Sequence, residues 1–243
     1  MSEQEFVFKP VGVIHSCFKE KFAIPRQAGL VKEARATLEL LPPYDRQEAL
    51  EGLDAFSHIW LVFVFHAVMG KEWKPRVRPP RLGGNQRVGV FASRSMFRPN
   101  PLGLSVVKLE HIDISDKSPL LHLSGIDLLD GTPVLDIKPY LPYSDIVAEA
   151  HGGYAASYPG ASLQVHFSEE ARRFCQAQQD HPELEILIRH LLELDPRPAY
   201  LEATAKRKQF GMRLFDYNIK WEVAADVVNV VSIEALASGD TGN

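Results

Sequence analysis

The sequence predicts a mainly β protein in which a β-barrel is followed by a small α+β domain. Two observations predict this. Up to about residue 143, short apolar runs of strand composition alternate with turn residues, and no amphipathic helix separates them. After residue 161, two segments have the apolar period of amphipathic helices, and three alternating strand segments follow them.

Seven runs in the first part have the composition of strands. They span residues 6–14, 36–41, 59–65, 87–93, 104–114, 120–128 and 133–137. Seven strands without intervening helices favour a barrel or sandwich over a sheet built from βαβ units. Asp130-Gly131 lies between the last two runs, and Asp-Gly is the favoured two-residue hairpin connection because both central residues need a positive φ.

The second part is organised differently. Residues 146–161 are small and polar, which predicts a linker between a barrel domain over 1–145 and a C-terminal domain over 162–236. Ser168 is a suitable N-cap for a first helix, and a second helix is predicted over 182–195, where Pro196 follows. Strands are predicted over 210–217, 219–223 and 227–233, and a disordered tail over 237–243.

Composition narrows the class of protein. The chain has 243 residues, 45% hydrophobic and 24% charged, the ordinary balance of a globular protein. Its longest apolar stretch, 59–69, is too short to cross a bilayer, which needs roughly 20 residues. The start of the chain lacks a basic stretch followed by an apolar run, so we expect the cytoplasm. Cys17 and Cys175 have no metal-ligand spacing, so we expect neither a disulfide framework nor a metal.

Charge is distributed unevenly along the chain. The net charge is −4, yet the segment from Lys71 to Lys108 holds nine Lys or Arg residues and one acid, Glu72, which gives +8 there and leaves −12 for the remainder. A basic surface on an acidic body suits a protein that meets phosphate at one face. The alternative is a solvated basic loop without a partner.

Several common enzyme motifs are absent from the sequence. It contains no GxGxxG after a first strand, no GxxxxGK[ST], no HExxH and no GxSxG. Unusual loops stand instead at 25–29 (PRQAG), 77–85 (VRPPRLGGN), 97–103 (FRPNPLG), 130–143 (DGTPVLDIKPYLPY) and 195–200 (DPRPAY). A nucleotide cofactor, if bound, is therefore not held by the usual glycine-rich first turn.

These strings closely resemble the TsaA-like family, specifically the bacterial TrmO proteins, which methylate N6-threonylcarbamoyladenosine in tRNA. The resemblance covers nearly the whole chain, from residue 12 to residue 221. The sequence differs slightly at Ile219-Lys220-Trp221, where the family pattern has Val-Arg-Trp.

The resemblance implies a non-Rossmann β-barrel methyltransferase that works as a homodimer. It implies S-adenosylmethionine as cofactor, and as substrate a tRNA anticodon stem-loop that carries the modified adenosine at position 37, of the threonine-tRNA type. The cofactor positions that it implies are Pro25, Arg26, Gln27, His66, Ala67, Arg94, Leu104, Ser124, Gly125, Ile126, Asp127 and Leu128. The C-terminal residues that it links to tRNA are Asp195, Pro196, Arg197 and Tyr200.

The residue types suit these roles. Arg26 and Arg94 can bind a carboxylate or phosphate through two parallel hydrogen bonds, and Gln27 has both a donor and an acceptor. Backbone groups of 124–127 can face an adenine. Asp127 and Asp130 are candidates for a general base by position. Tyr200 is a candidate for holding the modified adenine by stacking or hydrogen bonding. Basic and polar residues expected to contact tRNA are Arg76, Arg78, Arg81, Arg98, Asn100, Lys206, Arg207 and Lys208.

Structural interpretations stand beside these hypotheses. His66 follows an apolar strand and can be a core histidine, Asp130 can be a turn residue only, and Asp195 can simply end its helix. Two other functions also stay open: a methyltransferase of the same fold that acts on a small molecule, and a non-enzymatic regulator that binds S-adenosylmethionine or RNA.

Overall fold

The predicted barrel is confirmed by a computed structural model, which describes residues 5–114, 118–160, 162–197 and 209–236. Six antiparallel strands close in the order β1-β2-β7-β6-β3-β8. They are β1 (Gly12–Ser16), β2 (Arg35–Leu40), β3 (His58–Val64), β6 (Leu102–Asp113), β7 (Leu120–Ser124) and β8 (Pro133–Pro139). Two short strands, β4 (Arg76–Val77) and β5 (Val88–Gly89), form a separate ribbon.

Alternation along the strands fills the barrel. In β3 the burial of side chains alternates, so that Ile59, Leu61 and Phe63 point inward, and in β6 Val107 and Leu109 do the same. Successive side chains of a strand point to opposite faces, which places every second residue in the core. The inward residues are apolar and fully or almost fully buried, so their burial is the main stabilising contribution of this half.

Two predicted strands are largely wrong. The run 6–14 forms a strand only from Gly12, and Phe6 and Phe8 are 70% and 68% exposed. The run 87–93 forms only the two-residue β5, followed by a 3₁₀ turn over Val90–Ala92. Strand propensity reflects packing against a neighbouring strand, and β5 has only the two-residue β4 to pair with.

The Asp130-Gly131 turn is present, but it does not join a hairpin. Strand β7 lies between β2 and β6, whereas β8 lies between β1 and β3. Only Gly131 of the pair has a positive φ, +75°. The turn instead crosses one end of the barrel and is fixed to the β1 region, because Asp130 N–H donates to the Phe18 carbonyl (2.9 Å) and Gly131 N–H to the Ile14 carbonyl (2.8 Å).

The C-terminal part is an α+β unit, as predicted. Its sheet has the order β10-β11-β12-β9, with β9 (Gln164–Phe167) parallel to β12 (Val227–Ala235) and antiparallel pairing of β10 (Gln209–Leu214) and β12 with β11 (Tyr217–Ala224). In the described residues this unit has two helices, α2 (Glu169–Ala177) and α3 (Leu184–Glu193), while the short α1 (Pro142–Asp145) follows β8 in the barrel part. The Ser168 hydroxyl accepts from Ala171 N–H at 3.0 Å, which confirms the predicted N-cap. Strand β9, only four residues long, was not predicted.

The two parts share one hydrophobic cluster, which runs from the barrel interior to Trp221 of β11. Phe215 N–H donates to the Cys17 carbonyl at 2.8 Å, and Phe18 forms an isolated β-bridge with Leu214. Arg35 at the start of β2 forms a two-bond ion pair with Glu183, with N–O distances of 2.9 and 3.1 Å. The C-terminal unit therefore packs directly on the segment that connects β1 to β2.

The segment predicted as a linker contacts the basic segment. Tyr154 donates its hydroxyl hydrogen to the Ala92 carbonyl at 3.0 Å, and Arg81 donates to the Ser157 carbonyl. The predicted tail, 237–243, lies outside the described residues. In the ranges that the structure describes, every helix is too short or too polar to span a membrane.

We expect Gly12→Ala to destabilise the barrel at its closure, where Gly12 pairs with both Leu40 and Val134. A Cβ there would lie 2.6 Å from the Glu39 carbonyl oxygen and 2.7 Å from Leu38 Cδ1, so backbone must move. Overpacking of this kind costs about 1–3 kcal/mol of unfolding free energy, measurable by urea denaturation. The control is Gly89→Ala, where a Cβ meets nothing within 4 Å. Equal stability of the two variants would contradict the expectation.

Candidate active site

Three loops leave the same end of the barrel. Register pairs join the end of β1 to the start of β2 (Ser16 with Ala36), the end of β3 to the start of β6 (Val64 with Leu102) and the end of β7 to the start of β2 (Ser124 with Arg35). The connecting segments 17–34, 65–101 and 125–132 therefore meet at one rim. With Leu104 and Ser124 at the adjoining strand ends, they carry all the cofactor positions that the family resemblance implies.

Two arginines from different loops are brought together at this rim. Arg94 donates to the side-chain oxygen of Gln27, and the Gln27 amide donates to the Arg26 carbonyl. The amide thus fixes the position of one guanidinium beside the loop that carries the other. Because a guanidinium keeps several further N–H donors, both arginines remain able to bind an anion here.

Asp127 provides a partly buried carboxyl group on which the charge of Arg94 acts. Its Oδ1 accepts a hydrogen bond from the Ser105 hydroxyl at 2.8 Å. Burial raises the pKa of Asp127 to about 6, although the Ser105 hydroxyl, the backbone amides of Asp127 itself and Ala28, and the charge of Arg94 all favour the ionised form. A carboxyl with this pKa can accept a proton near neutral pH.

Two glycines let the loops approach closely. Gly29 N–H donates to the Gly125 carbonyl at 2.8 Å, and a Cβ on Gly125, whose φ is +71°, would lie 3.3 Å from the Gly29 Cα. Ile126 N–H donates to the Ala34 carbonyl and the Ser16 hydroxyl to the Leu128 carbonyl. The Gly125 carbonyl and the Ile126 N–H thus hold this loop against residues 29–34.

His66 and Ala67 lie in a 3₁₀ turn just after β3. Lys21 donates to the Ala67 carbonyl at 3.1 Å. Burial, and secondarily the Lys21 charge, lower the pKa of His66, so its imidazole is neutral at neutral pH. A neutral imidazole can both donate and accept a hydrogen bond, which suits contact with a polar ligand.

Asp130 has a different environment from Asp127. Its Oδ1 accepts from Ser16 N–H at 2.9 Å, and its Oδ2 pairs with the Lys19 ammonium at 2.8 Å. Both oxygens are therefore used to fix the turn to β1. Of the two candidate bases, the geometry favours Asp127.

The C-terminal string 195–197 lies beside the loop that carries Arg26. Arg197 binds the Asp195 carboxylate through two bonds of 2.7 Å, and the two side chains are only 14% and 12% exposed. Arg26 points its Nη2 at the carbonyl oxygens of both residues, at 3.5 Å each. Asp195, with φ +48°, forms the bend after α3 that brings Pro196 and Arg197 here. Tyr200 and the 206–208 cluster lie outside the described residues.

The remaining basic positions are spread along the segment between β3 and β6. Arg76 lies in β4, Arg78 and Asn100 are exposed, and Arg98 donates to the Ser93 carbonyl at 3.5 Å. Arg81 is engaged with the Ser157 carbonyl, as described above. Leu104 is exposed on β6 at the same rim.

Sequence reasoning missed Lys21 and Ser105. A single loop lysine has no recognisable pattern. Ser105, however, occupies an inward position of β6, in alternation with Val107 and Leu109, and is buried. A serine at a strand position where the alternation calls for an inward apolar residue indicates a functional contact, because a buried hydroxyl needs a hydrogen-bond partner.

The donor set fits S-adenosylmethionine. Arg26 and Arg94 can bind its carboxylate, Gln27 and the neutral His66 can bind its neutral polar groups, and the Asp127 carboxylate is complementary to its positive charges. Among the described residues, no group of three or more His, Cys, Asp or Glu side chains is placed to hold a metal ion.

Comparison with known proteins shows which family the chain resembles over its length. The sequence profile of the tRNA-methyltransferase O N-terminal domain matches residues 13–146, and that of the TrmO C-terminal domain matches 160–236. A tRNA (adenine(37)-N6)-methyltransferase of Escherichia coli K12 is 47% identical over 230 residues, covering 94% of this chain and 98% of the relative. A putative S-adenosylmethionine-dependent methyltransferase RcsF of Pseudomonas aeruginosa PAO1 is 50% identical over 234 residues, covering 95% and 97%.

A solved structure has the same architecture. A crystal structure of TrmO superposes with a TM-score of 0.77 at 44% sequence identity, covering 96% of this chain and all (100%) of that one. The two profiles together span both units of the fold, and the relatives are similar over nearly their full length. The chain therefore belongs to the TrmO (tRNA-methyltransferase O) family.

Proposed function

We propose that this protein transfers a methyl group from S-adenosylmethionine to N6 of threonylcarbamoyladenosine at position 37 of tRNA. The observation that carries the proposal is the meeting of three groups at one barrel rim. These are the Arg26–Gln27–Arg94 chain, the Asp127 carboxyl, and the Asp195–Arg197 pair of the C-terminal unit, to which Arg26 is joined. The E. coli relative is named for methylation of adenine 37 at N6, which supports tRNA adenine-N6 methylation as the reaction class.

The rim loops hold the cofactor in this proposal. Arg26 and Arg94 bind its carboxylate, His66 and Gln27 bind polar atoms, and the backbone from Ser124 to Leu128 forms one side of the site. When bound, S-adenosylmethionine supplies a methyl group already activated by attachment to a sulfonium. The main task of the protein is therefore to orient the acceptor nitrogen and to manage its proton.

Asp127 acts as the general base. Adenine N6 is a poor nucleophile because its lone pair is delocalised into the ring, and a carbamoyl substituent makes its N–H more acidic. A carboxylate with a pKa of about 6 is ionised at neutral pH and basic enough to take that proton. Ser105 holds the Asp127 carboxylate in place. Tyr200 stacks on the modified adenine of the tRNA or forms a hydrogen bond with it.

The tRNA contacts the basic segment and the C-terminal string. Arg76, Arg78, Arg98 and Asn100 lie on the segment that leaves the same rim, and Arg197 lies beside the cofactor loop. Lys206, Arg207 and Lys208 belong to the same proposal. We further propose that the protein works in the cytoplasm as a homodimer. The exposed apolar side chains of Tyr143, Ile146 and Val147 after β8 support the dimer.

The substrate is tested with labelled S-adenosylmethionine and two bulk tRNA pools, one normal and one from cells unable to make threonylcarbamoyladenosine. We expect label only in the normal pool. Equal labelling of both pools would show that another nucleotide is the target. Binding of the cofactor without label in either pool would favour the small-molecule enzyme or the regulator.

The role of Asp127 as general base is tested by pH dependence and by substitution. Since Asp127 must be ionised, single-turnover rates are expected to fall about tenfold per pH unit below 6 and to level off above it. Asp127→Asn should lower the rate about 10²–10⁴-fold while calorimetry shows cofactor binding. Asp136→Asn, at an exposed ion pair with Lys138, is the control. If Asp130→Asn loses activity and Asp127→Asn keeps it, the base is Asp130.

The phosphate contacts are tested by salt dependence. The logarithm of the tRNA association constant should fall linearly with the logarithm of salt concentration, and Arg76→Gln and Arg78→Gln should each reduce that slope by about 1. Lys138→Gln, on the barrel wall, serves as the matched loss of one charge. Slopes that are equal in all the variants would remove the basic segment from the tRNA interface.

A further inference from the structure

A cavity opens beside the rim, directly after the proposed cofactor residues. It has a volume of about 290 Å³ and lies between residues 68–73 and residues 96–101. Val68 and Met69, which line it, continue the 3₁₀ turn that contains His66 and Ala67. A group held in this cavity therefore lies next to the turn of His66 and Ala67, which the proposed function assigns to the cofactor site.

Backbone hydrogen bonds fix the two walls. Phe65 N–H donates to the Pro101 carbonyl at 2.8 Å, and Lys74 N–H donates to the Phe97 carbonyl at 3.0 Å. The Lys74 ammonium also lies 4.4 Å from the centre of the Phe97 ring. The walls are thus tied at both ends of the cavity, and its shape belongs to the fold.

The lining combines apolar and cationic side chains. Met69, Met96 and Pro99 provide apolar surface, while Lys71 and Arg98 bring two positive charges against the single negative charge of Glu72. Arg98 contacts the Ser93 carbonyl, at 3.5 Å. Within the described ranges, neither Lys71 nor Arg98 forms an ion pair with a carboxylate. The cavity is therefore suited to a small ligand that has one carboxylate and some apolar surface.

We propose that this cavity receives the threonine part of the threonylcarbamoyl group, with its carboxylate at Arg98 and Lys71 and its methyl group against Met69 and Met96. The inference rests on the proposed function and assigns the residues that select the modified base. The threonine arm is attached to N6, the atom that accepts the methyl group, so it must lie within a few bonds of the donor. A guanidinium such as that of Arg98 can bind a carboxylate through two parallel hydrogen bonds, and this geometry favours a carboxylate over a group of different shape or charge.

The test compares two tRNAs assembled from synthetic anticodon stem-loops. One carries threonylcarbamoyladenosine, and the other carries the same group with its carboxylate converted to a carboxamide. The wild-type enzyme is expected to prefer the carboxylate form by about tenfold or more in kcat/KM, the size of a charged hydrogen bond. Arg98→Gln and Lys71→Met are each expected to reduce the preference severalfold.

The ratio of the two substrates separates this role from phosphate binding. A phosphate contact lowers kcat/KM equally on both tRNAs, so it leaves the preference unchanged. Arg87→Gln, an exposed charge of the same segment outside the cavity, is expected to keep the wild-type preference. A preference reduced by Arg98→Gln and kept by Arg87→Gln supports the inference.

Other outcomes overturn it. If Arg98→Gln and Lys71→Met both keep the wild-type preference, the cavity does not hold the carboxylate. An equal loss on both tRNAs in Trp73→Ala, with that preference kept, would indicate a flanking nucleobase in the cavity instead. A wild-type enzyme that methylates both tRNAs equally well retains the proposed function but refutes the inference, whereas one that methylates neither refutes both.

Discussion

Closing six antiparallel strands into one barrel determines which connecting segments come together at the candidate site. Each inter-strand connection must leave one of the two ends, and the register sends the segments 17–34, 65–101 and 125–132 to the same end. Residues from all three segments then meet although they are up to about a hundred positions apart in the chain. The site is a consequence of register, because a shift of one residue would turn every inward side chain outward.

The conformation of the rim loops is set by hydrogen bonds between them more than by the sequence of each loop. The loop at 125–128 is held by Gly29 N–H, the Ala34 carbonyl and the Ser16 hydroxyl, so β1, β2 and their connection position Asp127. Burial in that setting raises the pKa of the carboxyl, and the Ser105 hydroxyl together with two backbone amides limits the rise. The same desolvation that disfavours the ionised carboxylate makes it a better proton acceptor, and this supports the proposal that Asp127 is the base.

The sequence was informative where a local pattern has one physical meaning. Strands β3 and β6, the Ser168 cap and the apolar face of α3 could be predicted because strand composition, helical period and capping are local properties. Residues 6–14 and 87–93 have strand composition too, but whether a strand forms depends on a neighbour, and composition cannot supply one. The Asp130-Gly131 turn shows the same limit, since a turn residue specifies a bend and not the strands that the bend joins.

The same distinction holds for the residues of the candidate site: some could be predicted from the sequence, and others required the structure. The family resemblance implies roles for Arg26, Gln27, Arg94 and Asp127. Ser105 and Lys21 emerged only from the structure, because each contacts a partner far away in the chain, Asp127 and Ala67 respectively. Residue type alone could not separate Asp127 from Asp130. Both are carboxylates in one loop, and only the contacts show that Asp130 has both oxygens engaged with Ser16 and Lys19.

Arg26 connects the two halves of the molecule. Its Nη2 faces the carbonyls of Asp195 and Arg197, and it sits in the loop proposed to bind the cofactor carboxylate. A guanidinium has five N–H donors in a planar fork, so one face of Arg26 can remain on the C-terminal string while the other binds an anion. The Asp195–Arg197 pair is nearly buried and its charges compensate each other, which leaves the backbone carbonyls as the acceptors that face Arg26. The loop that carries Arg26 and the C-terminal string are thus linked through this side chain, so a displacement of one changes the surroundings of the other.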